Sequence, residues 1–127
     1  MRELKFRGKT ATGKWVVGDL IHAEKGVAIR PRDDYAMPFG YHVEENSVGQ
    51  YTGFKDNIGQ ELYEGDLLVV FRICDDDGAD ETEYRIVYDE DEGYWAIVRD
   101  KDKRFEEVLN KGVATLFVAV EERRWLS

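Results

Sequence analysis

The chain has 127 residues, a formal net charge of −9, 43% hydrophobic and 13% aromatic residues. That is the size of one folded domain with a real core, and the acidity argues against a phosphate-backbone binder, which needs a basic stripe. The lone cysteine, Cys74, excludes a disulfide framework or a thiolate metal site within the chain.

Residues 3–7 alternate Glu3, Leu4, Lys5, Phe6, Arg7, which predicts a strand with Leu4 and Phe6 on one face. Residues 8–13 read as a polar turn. Residues 15–22 predict a second strand, with a bulge at Gly18-Asp19. Residues 23–26 turn, and 27–30 form a third strand ending at Pro31. Residues 32–45 hold both prolines and the aromatics Tyr35, Phe39 and Tyr41, and are expected to be a long irregular connection.

Residues 48–71, VGQYTGFKDNIGQELYEGDLLVVF, are the densest run of turn and strand signals. Residues 50–53 predict a short strand ending at Gly53, and 55–59 a turn built on Asp56, Asn57 and Gly59. Leu62-Tyr63 is extended, Glu64-Gly65-Asp66 turns, and 67–71 is a buried-type strand. Residues 72–80 predict an acidic loop. Residues 83–89 alternate, with Tyr84, Ile86 and Tyr88 on one face, and return through 90–93 into 94–99 as a hairpin. Residues 101–103 turn, 105–109 carry helical spacing over about one turn, 113–120 predict a last strand, and 121–127 a charged tail. Short strands at close spacing, joined by glycine turns, point to a mainly β domain, α+β at most, bent or closed into a small barrel.

At MRELKFR, GKWVVGDLI and the 48–71 stretch, the sequence resembles the YopX family of phage and prophage proteins. The matching positions are Gln50, Tyr51, Thr52, Gly53, Asp56, Gly59, Leu62, Tyr63, Glu64, Gly65, Asp66 and Leu67. The resemblance runs in patches from residue 1 to about 98, is weakest in 26–45 and 72–83, and departs at the tail. It implies a single-domain SH3-like barrel or pseudobarrel with long irregular loops over residues 1–127. It implies no catalytic residue and no cofactor.

The residues themselves exclude several chemistries. Gly8-Lys9-Thr10 lacks the first glycine of a phosphate loop, since Glu3 stands there. An EF-hand aligned on Gly78 puts Ile73 first and Tyr84 twelfth, and one aligned on Gly93 puts Tyr88 first and Arg99 twelfth. His22 and His42 form no close pair, and neither Ser47 nor Ser127 sits in a G-x-S-x-G turn. The polar set Tyr51, Tyr63, Glu64 and Asp66 reads either as a small pocket with tyrosyl donors and two carboxylates, or as a turn whose carboxylates bond backbone N–H groups. Trp95 and Tyr94 point to opposite faces of their strand, so one of them is a candidate for a partner-facing surface, as are Tyr35, Phe39 and Tyr41.

The leading expectation is a non-enzymatic phage or prophage accessory protein in the cytoplasm of a bacterial host. It binds a host or phage protein, or itself, without cofactor, metal, membrane or direct nucleic-acid contact. The charged opening Arg2-Glu3-Leu4-Lys5 is not a secretory leader, and no apolar run approaches the roughly 18 residues of a membrane helix. The alternatives are a metal-dependent phosphodiesterase or nuclease using acidic residues 75–83, and an acidic mimic of nucleic acid.

Overall fold

The computed structural model describes residues 4–32, 38–70 and 82–120. The chain is mainly β, with all described pairings antiparallel, and divides into two compact units, Met1–Tyr51 and Thr52–Ser127. The mainly β expectation holds, and no sheet closes into a barrel among the described residues. None of their helices is long and apolar enough to cross a membrane.

In the first unit, β1 (Phe6–Lys9) lies between β2 (Trp15–Ala23) and the start of β5 (Gly49–Lys55). β2 pairs with β3 (Gly26–Arg30), and β3 with β4 (Tyr41–Val43), the outer strand. The sheet curls because the segment after β4 returns to β1. Glu44 N–H donates to Lys9 O, Lys9 N–H donates to Ser47 Oγ, and the Val43 side chain packs on Gly8. One backbone bond and one side-chain bond do not make a ladder, so the curl stays open. Val16, Val27, Ala28 and Ile29 fill its interior.

Three expectations change here. β1 runs on through Gly8 and Lys9 instead of turning. β2 passes through Gly18 without a bulge, since Gly18 pairs with Phe6 and Asp19 with Arg30. Gly18 is needed for room: a Cβ there would meet Arg30 O at 2.1 Å. The irregular 32–45 connection contains β4, which period-2 reading misses because only three residues pair. Residues 33–37, with Tyr35, lie outside the described residues.

β5 passes through Gly53 into the second unit, where it neighbours β6 (Glu61–Tyr63). A sheet follows in the order β10–β9–β8–β7–β11, made of β7 (Leu67–Val70), β8 (Tyr84–Asp89), β9 (Tyr94–Arg99), β10 (Phe105–Val108) and β11 (Phe117–Ala119). The β8–β9 hairpin forms as its alternation predicts, with Ile86 opposite Ile97 and Tyr88 opposite Trp95. Asp89 closes its turn by accepting the Asp91 and Glu92 N–H groups. Leu62, Leu68, Ile86, Trp95, Ile97 and Phe117 lead the core.

Residues 105–108 are strand, not helix. A bulge between Phe105 and Glu107 inserts an extra residue and breaks the two-residue period, which leaves the misleading helical spacing. The predicted strand over 113–120 is shorter, and a one-turn helix α1 (Lys111–Ala114) precedes it. Asn110 caps α1, its Oδ1 accepting the Val113 N–H at 2.9 Å. The acidic loop with Cys74, the last residue of the predicted strand 67–71, and the tail with Trp125 all lie outside the described residues.

The close approach at Gly18 generates a stability prediction. Gly18→Ala should cost about 3 kcal/mol, because the Arg30 carbonyl is backbone and must move. Gly65→Ala, where φ is +89° but a Cβ meets nothing within 4 Å, should cost only about 1 kcal/mol of strain. Denaturant midpoints check the order; equal shifts would refute it.

Candidate functional site

The signature stretch folds around two carboxylates. Asp56 is 4% exposed. Its Oδ1 accepts the Ile58 N–H at 3.1 Å and the Gln60 N–H at 2.8 Å. Its Oδ2 accepts the Gln60 side-chain amide and the Ala119 N–H, each at 2.9 Å. A buried carboxylate is costly unless its lone pairs are filled, and four donors fill them. Asn57 completes the attachment, donating its backbone N–H to Phe117 O and its side-chain amide to Thr115 O. The turn between β5 and β6 is thus fastened to both sides of Leu116.

The second carboxylate, Asp66, is fully buried. Its Oδ2 accepts the Tyr63 N–H at 2.8 Å, and its own N–H donates to Tyr63 O at 3.1 Å. Gly65 N–H donates to Ile86 O, and Ile86 N–H to Asp66 O, so the turn docks on β8. Thr52 Oγ1 donates to Leu62 O at 2.8 Å. The Glu64-Gly65-Asp66 segment is therefore a turn whose aspartate bonds backbone, as one of the two sequence readings holds.

Of the candidate binding residues, Phe39, Tyr41 and Tyr51 lie in the first unit and Tyr63, Glu64, Asp66 and Trp95 in the second. Tyr63 is buried, its hydroxyl donating to Glu61 Oε1 at 3.1 Å, while Glu64 is exposed on the same turn. Tyr51 is buried in the first unit, with Lys5 Nζ 4.8 Å from its ring centre. Trp95 is 4% exposed and packs edge-on against Tyr88, with ring centres 4.9 Å apart. Its Nε1 is buried and has no hydrogen-bond partner among the described residues. Trp95 is a core residue: it belongs to the second unit's hydrophobic cluster, on a strand whose side chains are buried from Trp95 to Val98. In the first unit, Phe39 lies on the turn before β4 and Tyr41 is the first residue of β4. Phe39 is 86% exposed, and Tyr41 is half-buried under Lys14 Nζ at 5.3 Å. Tyr35 lies outside the described residues.

One shallow cavity of about 390 Å³ opens at Thr82, Glu83, Arg99, Asp100 and Lys101. Its charges are mostly committed. Asp100 accepts from Arg85 Nε at 2.7 Å and Lys103 Nζ at 2.9 Å, and both hold its carboxyl below the usual range. Arg85 also donates to Gly65 O at 2.8 Å, which ties the signature turn to this wall. Asp102 bonds the Arg99 guanidinium and the Arg104 N–H, which lower its carboxyl to about 2. Among the described residues, no three His, Cys, Asp or Glu side chains converge as metal ligands.

A family model described as YopX protein matches residues 5–119. The chain belongs to the YopX family. No curated protein matches it. In this YopX chain, the signature positions Thr52, Asp56 and Asp66 all bond backbone groups. Sequence reading missed the reach of Asp56 and Asn57 to residues 115–119; the available signal was an Asp two and four residues before the N–H groups it accepts. It also did not single out Ile58 and Leu116, each of which is exposed.

Two predictions follow from these carboxylates. Asp56→Asn keeps the shape but turns an N–H₂ toward the Ala119 N–H and the Gln60 amide. It should cost about 3 kcal/mol, read from chemical denaturation. The depressed Asp102 group stabilises the fold above the ordinary carboxylate value of about 4, and that contribution is lost as pH falls toward about 2. Asp102→Asn should flatten the stability curve over that interval, and more so at low salt, because the pair is exposed.

Proposed function

We propose that this YopX chain is a non-enzymatic phage or prophage accessory protein, working in the cytoplasm of its bacterial host by binding a host or phage protein or a second copy of itself. One observation carries the reading: Phe39, 86% exposed, stands on a turn immediately before the outer strand β4. An outer strand offers backbone donors and acceptors to an added strand, and a large exposed ring beside it supplies the apolar anchor. Small bent sheets serve as interaction modules in many proteins, an analogy that adds modest support.

Charge supports the same unit as the contact surface. Residues 1–51 hold eight basic and seven acidic side chains, and residues 52–127 ten and twenty. The first unit therefore carries almost no net repulsion toward a partner of either sign. Beside Phe39, Tyr41 is half-buried with Lys14 Nζ 5.3 Å from its ring centre, so the start of β4 carries a cation–ring pair.

The test is affinity capture from a phage-bearing host, run beside size exclusion with light scattering. The unchanged chain should retain a discrete partner or elute above monomer mass, and Phe39→Ser should lose that behaviour while keeping its melting temperature. A chain that stays monomeric and captures nothing, or a Phe39→Ser variant that behaves like its parent, overturns the reading.

A further inference from the structure

One segment of the first unit is attached differently from its neighbours. Residues 41–48 are all exposed or half-buried, although they include β4 and the 3₁₀ turn Glu45–Ser47. The strands they connect are built otherwise: Val27, Ala28 and Ile29 on β3 are buried, as is Gly49, where β5 begins. β4 holds β3 through three residue pairs. Local openings begin where few apolar side chains are buried and backbone hydrogen bonds face water.

A small relay of polar groups returns this segment to β1. Glu44 N–H donates to Lys9 O at 2.8 Å, and Lys9 N–H donates to Ser47 Oγ at 2.8 Å. The Ser47 hydroxyl in turn donates to Glu44 O at 2.6 Å, and Ser47 N–H donates to the same oxygen at 2.9 Å. Ser47 therefore holds the turn and the seam with one hydroxyl, so the two form and break together. The Lys9–Glu44 ion pair, at 3.9 Å, and the Lys14 ammonium 5.3 Å from the Tyr41 ring centre each have an exposed partner and add little. The Val43 side chain lies over Gly8, which is buried, and a Cβ on Gly8 would stand 2.8 Å from Val43 Cγ2.

We infer that residues 41–48 form a strap that opens as one unit while the rest of the first unit stays folded, baring the end of β1 at Gly8 and Lys9. Opening releases the Lys9 C=O from Glu44 and the Lys9 N–H from Ser47 together, one acceptor and one donor on a single edge of β1. Further along that edge, Phe6 and Arg7 stay paired with Gln50 and Gly49. The opening is a property of this unit and does not rest on the binding role proposed above.

Native-state hydrogen exchange on the ¹⁵N-labelled full chain tests the strap. The Lys9 and Glu44 amides should be protected at least about a hundredfold less than the Tyr51 amide, which bonds Lys5 O just before β1, because a local opening costs far less than unfolding. Their rates should respond little to low denaturant, since a strap of exposed and half-buried residues bares little new surface, whereas the Tyr51 rate should rise steeply. Ser47→Ala should speed both strap amides about fivefold, the worth of one hydrogen bond, although Glu44 keeps its own acceptor. Gly8→Ala, which pushes on Val43, should speed both and leave Tyr51 nearly unchanged. Equal protection and equal denaturant slopes for Lys9, Glu44 and Tyr51 overturn the proposal, because the segment then opens only with the whole unit. It is also overturned if Ser47→Ala speeds Lys9 alone, or if either variant lowers the denaturation midpoint without changing the protection of the strap amides relative to Tyr51.

Discussion

The Asp56 carboxylate holds the second unit together at the point where the chain has least regular structure. It is almost fully buried and receives four N–H groups, three from its own turn and one from Ala119, 63 residues later. A carboxylate removed from water without such donors would be strongly unfavourable, so the turn, the end of β5 and the strand β11 form as a set. The edge of β11 away from β7 is thereby covered by side-chain and turn hydrogen bonds instead of another strand. That is a familiar solution for a sheet edge that would otherwise pair with another chain.

A second chain of polar contacts runs from the signature to the hairpin. Gly65 and Asp66 dock on Ile86 through backbone bonds, and Arg85 takes Gly65 O with one nitrogen and Asp100 with another. Lys103 meets the same Asp100 from a left-handed backbone conformation, φ +58°, which is unusual outside glycine and asparagine. The signature thus governs the geometry of β8, β9 and the turn after them. A family pattern of this kind can be retained for folding alone, and its residues are not by themselves a map of a binding site.

The exposed apolar side chains differ between the units. In the first, Phe39 projects just before β4. In the second, Ile58 stands on the Asp56 turn and Leu116 between α1 and β11. The buried residues Tyr51, Tyr63, Asp66 and Trp95 support the fold of their own units.

The sequence by itself determined the strands with strong period or continuous apolar content: the β8–β9 hairpin, β7, and β2 and β3 around their glycine turn. It also determined the two aspartate turns and the family, because these depend on contacts between near neighbours and on fixed spacing. Only the tertiary structure decided the rest. β4 and β10 are strands because a neighbouring strand supplies their hydrogen bonds, not because of their own residues. Gly18 is set by the approach of Arg30 O, which no local pattern encodes. Trp95 and Tyr94 occupy opposite faces by alternation, but which residues of β9 are buried is decided by what the rest of the unit packs on each face, and Trp95 to Val98 are all buried. The bond from the Asn57 side chain to Thr115 O joins residues 58 positions apart, and spacing along a chain carries no record of such a contact until the sheet is folded.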